Sequence, residues 1–218
     1  MRRAVIAVGL VFALIVPAGA QQTSLTEGQI KTAEIEIPEL VQLLGVKPGM
    51  TIADVGAGFG AWTVRFAKIV GPSGRVYATD IGAAQLAALR DYAAREGLTN
   101  VSVIEGAVDS TNLPAVCCDA ILIRDAYHHL TQPADIVRSL AAALKPGGRL
   151  AVIEFPPRPN TEVPAGVPEN RRGHGVPPEV VQSEVGAALT YMETIASWAP
   201  GAPESQPTSL YLLLFRKP

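Results

Sequence analysis

The chain has 218 residues, 48% of them hydrophobic and 17% charged, with a formal net charge of −2. That balance is ordinary for a globular chain and leaves no basic footprint for nucleic acid. Its only cysteines, Cys117 and Cys118, are neighbours, so they cannot join distant parts of the chain, and stability must come from packing.

The N-terminus has the pattern of a targeting segment. Arg2 and Arg3 precede an apolar run from Ala4 to Val16, and Ala18-Gly19-Ala20 supplies a small-x-small cleavage pattern. The run is shorter than the roughly 20 residues that span a bilayer. The expectation is a signal peptide over 1–20, cleaved after Ala20, and an exported protein, periplasmic or secreted, with no stable membrane insertion. If uncleaved, the same segment is an anchor. The remainder, 21–218, has the length of one domain with a sizeable core.

Ile37, Leu40, Val41 and Leu44 fall at i, i+3, i+4 and i+7 and predict a helix that Gly45 ends. VKPGM is a turn, and Thr51 to Val55 a short strand running into the glycine loop GAGFG. Trp62, Phe66, Ile69 and Val70 mark the inner face of a second helix, closed by GPSG at 71–74. RVYATD (75–80) reads as a strand, Ala83 to Glu96 as a helix, and VSVIE (101–105) and DAILIR (119–124) as two more strands. Ala134 to Leu144 is helical, with Ile136, Val137, Leu140 and Leu144 inward, followed by KPGG and the strand RLAVIEF. PPEVVQSEVGAAL reads as a last helix. Tyr191 to Trp198 and Leu210 to Arg216 form a hairpin, which makes one edge strand antiparallel. Strand–helix alternation of this kind implies a parallel sheet covered on both faces, with ligands at the carboxyl ends of the strands. The proline-rich stretch 156–179 is expected to be an irregular surface loop.

Gly56, Gly58 and Ala61 satisfy G-x-G-x-x-G/A directly after a strand, and Asp80 ends the next strand about 20 residues further on. An acid so placed suits ribose hydroxyls, so the loop is expected to hold a nucleotide cofactor. Of nicotinamide enzymes, a short-chain reductase would need Tyr-x-x-x-Lys, but Tyr92 is followed four residues on by Glu96 and Tyr127 by Thr131. An NAD(P)-binding oxidoreductase with other catalytic groups stays open.

The succession PELVQLLGVKPG, TIADVGAGFG, RVYATDI, VIEGAVDSTNLP, DAILIRDAYHHL and ALKPGGRLAVIEF resembles class I S-adenosylmethionine-dependent methyltransferases, in particular bacterial small-molecule enzymes with a YHH or YHE motif and an exported precursor. The resemblance implies an α/β fold, a Rossmann-like three-layer sandwich with a seven-stranded, mostly parallel sheet and an antiparallel strand in a C-terminal hairpin. It implies S-adenosylmethionine as cofactor, held by Gly56, Gly58 and Gly60, by Asp80 with Ile81 beside it, and by Asp109, with Asp54 bracing the loop near the methionine amino group. Ala107 follows Gly106 where the family more often has the acid, so the acid falls at Asp109 instead.

Methyl transfer from a sulfonium needs alignment and, for a hydroxyl or thiol acceptor, a base. RDAYHHL leaves the fourth strand where a small-molecule acceptor belongs. His128 and His129 are the candidate bases, Asp125 a candidate orienting group, and Arg124, Tyr127 and His174 candidate acceptor contacts. Arg171 and Arg172 offer themselves to an acidic acceptor. No metal centre is expected, because His128, His129, His174 and Glu154 lack a recognisable ligand spacing. Cys117 and Cys118 are expected to be buried small apolar residues. Because S-adenosylmethionine is made in the cytoplasm, an exported cofactor-binding protein of this fold without turnover is the second reading. The acceptor and the oligomeric state are not encoded in any motif.

Overall fold

The computed structural model describes residues 24–158, 160–201 and 209–218; the expected signal peptide and its cleavage site lie outside these residues. The first helix, α1, spans Glu27–Leu44. Thr26 caps it, its hydroxyl accepting from Gln29 N–H while the Gln29 side chain accepts from Thr26 N–H. This reciprocal pair is a capping box. Gly45 ends the helix in the left-handed region, φ 68°, its N–H reaching the carbonyls of Gln42 and Val41. The helix therefore begins ten residues ahead of the apolar stripe that predicted it, and runs through Pro38.

Among the described residues seven strands make one sheet: β1 Thr51–Val55, β2 Arg75–Asp80, β3 Val101–Glu105, β4 Cys118–Arg124, β5 Leu144–Glu154, β6 Thr190–Ile195 and β7 Tyr211–Arg216. Their order is β3-β2-β1-β4-β5-β7-β6. β1 to β5 pair in parallel, and β7 is antiparallel to both β5 and β6. The antiparallel strand thus lies one place in from the edge, and β6 is the edge strand. YLLLF of β7 is buried throughout, as an interior strand must be, whereas β6 is largely exposed.

The intervening helices are α2 Ala61–Val70, α3 Ala83–Arg95, α4 Pro133–Ala143 and α5 Pro178–Gly186. Alternate residues of β4 serve opposite faces. Ile121 and Ile123 pack with Ile136, Leu140, Val181 and Val185 of α4 and α5, while Leu122 packs with Leu40, Phe66 and Val70 of α1 and α2. This is the three-layer α/β sandwich, mostly parallel with an antiparallel C-terminal hairpin strand.

Two expectations change. Cys118 is buried as expected, but it is joined to its neighbour Cys117 at the head of β4. The proline-rich stretch is no merely solvated loop either. Its Arg171 is fully buried, donates to both carboxylate oxygens of Glu184 at 2.9 and 3.1 Å, and lies near the Tyr127 ring. The Tyr127 hydroxyl donates to the same carboxylate at 2.9 Å. This internal pair anchors the stretch to α5 and commits both terminal nitrogens of the buried Arg171 to Glu184 rather than to an acceptor.

Removing one partner of a buried pair strands the other charge. Glu184→Ala is therefore expected to lower the unfolding free energy by about 3 kcal/mol, with much of the loss recovered in Arg171→Leu/Glu184→Leu. Urea titration of the three proteins checks this, and equal stabilities would contradict it.

Candidate functional site

β1 delivers the glycine loop at its carboxyl end. Gly56, Gly58 and Gly60 have φ of 71°, 52° and 87°, in the left-handed region that side chains resist. Gly56 is also sterically fixed, since a Cβ there would lie 2.4 Å from the Cβ of Ala126. Gly56 and Ala57 N–H both donate to the carbonyl of Thr79, at 2.9 and 3.0 Å. Gly58 N–H donates to Asp80 Oδ2 at 2.9 Å, and Gly82 N–H to Asp80 Oδ1 at 2.9 Å. Asp80 is only partly buried, so each oxygen keeps a lone pair for a ligand.

The loop, Asp54, Trp62, Arg124 and Asp125 line a cavity of about 130 Å³, with Leu25 and Gln29 of the α1 end contributing to its wall. A broader depression of about 900 Å³ along α5 and β6 lies beside Pro218, at the opposite end of the sheet from the glycine loop. Ile81 is 64% exposed next to Asp80. Asp109 is exposed on the loop after β3, which is tied to the end of β2 by Gly106 N–H donating to the Asp80 carbonyl at 2.9 Å.

Asp54 is buried under the loop, where the Thr63 hydroxyl donates to it at 2.6 Å. Burial pushes its carboxyl up from the ordinary 3.8 to about 6, and the charge of Asp80 adds to the rise, against the Thr63 hydrogen bond and the attraction of Arg124. Arg124, expected at the acceptor, is instead held by Glu36. Its Nε and Nη2 donate to the two Glu36 oxygens at 3.0 and 3.1 Å, and its guanidinium lies 4.3 Å over the Trp62 ring. Trp62 Nε1 donates to Glu36 as well, at 2.9 Å. Glu36 and Thr63 were not singled out from the sequence. For Glu36 the signal was its place on the apolar stripe of α1, between Ala33 and Leu40.

Beyond the cavity stands the cluster expected from the sequence on the acceptor side. Asp125 has a positive φ of 55° and donates its N–H to the Ile153 carbonyl at 2.8 Å. Burial, and then the charge of Glu154, raise its pKa above the usual carboxylate value. A 3₁₀ turn, Tyr127–His129, places the two histidines. His128 is buried, its backbone N–H donates to Glu154 at 3.1 Å, and its Nδ1 lies 2.9 and 3.1 Å from the two Glu154 oxygens. Phe155 N–H donates to the same carboxylate. His129 and His174 have ring centroids 4.0 and 4.9 Å from that of His128. Burial lowers the pKa of His129, and the charges of His128 and His174 lower it further. Asp125, His128, His129 and His174 are thus brought together. Tyr127 is not among them: it is fully buried, with its hydroxyl turned to Glu184.

Asp54 makes folding pH-dependent. Its folded pKa lies above its unfolded value, so its contribution is full below about pH 4 and is lost as pH rises through about 6. The loss is on the order of 3 kcal/mol. Denaturant midpoints across this range are expected to fall with pH in the wild type and to fall markedly less in Asp54→Asn. Parallel profiles for the two proteins would refute it.

Residues 52–148 match the family profile of a methyltransferase domain. Over 116 residues the chain is 36% identical to the ubiquinone/menaquinone biosynthesis C-methyltransferase UbiE of Ectopseudomonas mendocina, a match covering 53% of this chain and 45% of that protein. The match thus spans about half the length of that relative. A solved S-adenosylmethionine-dependent methyltransferase from Aquifex aeolicus superposes with TM-score 0.66 at 22% identity, covering 89% of this chain and 100% of its own. The [4+2]-cyclase SpnF superposes with TM-score 0.67 at 16% identity, covering 87% of this chain and 81% of its own. The fold is that of the solved S-adenosylmethionine-dependent methyltransferases, and the profile-matched segment runs from β1 into β5, carrying the glycine loop, Asp80 and the histidine pair.

Proposed function

We propose that this chain is a class I S-adenosylmethionine-dependent methyltransferase acting on a small-molecule acceptor, with 21–218 as its single domain. The observation that carries the reading is the Asp80 carboxylate. It holds the glycine loop through Gly58 N–H and keeps free lone pairs for vicinal hydroxyls, on a segment that matches a methyltransferase domain.

The residues fit such a cofactor. Gly56, Gly58 and Gly60 leave the loop backbone bare, and a Cβ at Gly58 would meet no protein atom within 4 Å. Asp80 takes the ribose, exposed Ile81 offers an apolar surface to the adenine, and Asp109 stands on the adjoining loop. Asp54 and Asp125 face the cavity as acids, which suits a cationic ligand end. When bound, the cofactor supplies a methyl group on a positively charged sulfur, open to in-line displacement by the acceptor. The chain supplies alignment and exclusion of water.

Calorimetric titration with S-adenosylmethionine, S-adenosylhomocysteine and NAD tests the reading. Selective binding of the two sulfur cofactors is expected, and Asp80→Ala is expected to weaken it at least tenfold, about 1.4 kcal/mol. Binding of NAD in preference would sink it.

We also propose that residues 1–20 direct export, since they combine a basic start, an apolar run and a small-x-small site. Residues 1–30 fused to a reporter active only outside the cytoplasm are expected to give signal, with the mature chain starting at Gln21. A cytoplasmic product retaining Met1 would refute it.

A further inference from the structure

His128, His129 and His174 each offer a ring nitrogen, and these nitrogens all lie within 4.8 Å of one another. Two of the histidines come from the turn after β4. The third comes from the proline-rich stretch after β5, where the bridge between Arg158 and His174 and the bond from His174 N–H to Thr161 Oγ1, 2.9 Å, fix its backbone. His174 Nε2 is buried and has no hydrogen-bond partner, an arrangement that costs free energy unless something is bound there.

Glu154 sets the orientation of His128. This carboxylate is fully buried and already accepts from the backbone N–H groups of His128 and Phe155, so it meets His128 Nδ1 as an acceptor. Nδ1 then carries the hydrogen, and the free lone pair lies on Nε2. A carboxylate behind a histidine in this way is the arrangement that orients metal-bound imidazoles.

We propose that His128, His129 and His174 bind a divalent transition metal of the zinc class, with Glu154 as the positioning residue behind His128. Three imidazoles are the protein ligand set of an open zinc site, leaving a fourth position for water or an acceptor heteroatom. A tetrahedral site requires nitrogens about 3.3 Å apart at Zn–N distances near 2.0 Å. The nitrogens lie within 4.8 Å of one another, and His129 is the exposed member of the set. The sequence spacing gives no hint of the site because its third ligand is supplied by a different loop. A role for the metal in methyl transfer rests on the function proposed above, whereas metal binding does not.

The test uses the untagged full chain, stripped with a chelator and titrated with Zn²⁺ by calorimetry and with Co²⁺ by visible absorption. One equivalent of Zn²⁺ is expected, together with the intense d–d bands of low-coordinate Co²⁺. His129→Gln and His174→Gln are each expected to weaken Zn²⁺ binding by about 100-fold or more, and Glu154→Gln by about 10- to 100-fold. Circular dichroism identifies any variant that fails to fold, and the exposed His129→Gln then carries the comparison. No stoichiometric binding, or unchanged affinity in folded His129→Gln, overturns the proposal. Titration of the metal-free chain with S-adenosylmethionine is read separately, so failure of the cofactor reading and failure of the metal site are distinguished.

Discussion

Three of the five residues of the GAGFG loop have no side chain, so its shape depends largely on how the backbone is pinned. The carbonyl of Thr79 takes two N–H groups from the loop, and the next residue, Asp80, takes a third through its carboxylate. Both acceptors sit at the end of β2, and the parallel register that sets Val55 against Thr79 puts them opposite the loop. Strand pairing thus fixes the loop without any contact from a ligand. A cofactor bound there would meet a backbone already held by hydrogen bonds, and its binding would bear less of the ordering entropy that an unpinned glycine segment imposes.

The charges around the cavity follow from the same arrangement. Arg124 would place a cation in the wall, but Glu36 takes both its Nε and Nη2, and Trp62 covers its face. Asp54 and Asp125 bring negative charge to the same lining, with Arg124 Nη1 3.7 Å from Asp125 Oδ2, and burial raises the pKa of both carboxyls, a cost of keeping them charged there. A cationic ligand end relieves that cost, which is how buried carboxylates select for positive charge. Glu36 also ties α1 to α2 and β4 at once, so the helix whose end helps to wall the cavity is joined to it by hydrogen bonds as well as by apolar contact.

Much of the framework was legible because strand and helix periods differ. β1, β2 and β3 fall where alternation with glycine and proline punctuation puts them, and Asp80 follows from its strand end. The early start of α1 was hidden by Pro38, although Thr26 and Gln29 carried the capping signature. The place of β7 inside the sheet was not readable, since a hairpin reads the same with either strand outermost; only the continuous YLLLF run hinted at burial on both faces. Arg124, Tyr127 and Arg171 stand beside site residues in sequence, yet their partners Glu36 and Glu184 come from other helices. Spacing along a chain does not encode where a long side chain turns, and a run of prolines gave no sign that its arginine was internal.

The likeness to SpnF, a [4+2]-cyclase with this fold, shows that the scaffold leaves the reaction open and that the acceptor side must decide it. That side is where this chain goes beyond the segment matching a methyltransferase domain, for Glu154 and His174 both lie after residue 148. Glu154 commits Nδ1 of His128, leaving one in-plane lone pair, on Nε2, for chemistry. That lone pair serves one purpose at a time. A metal held there would take that lone pair in place of a proton and would supply positive charge to an acceptor. Left free, it is a base held by a buried carboxylate. The buried Nε2 of His174 bears on the choice: it has no hydrogen-bond partner, and a ring nitrogen of each of the three histidines lies within 4.8 Å of the others, so a metal would supply the partner that a lone general base at His128 would not.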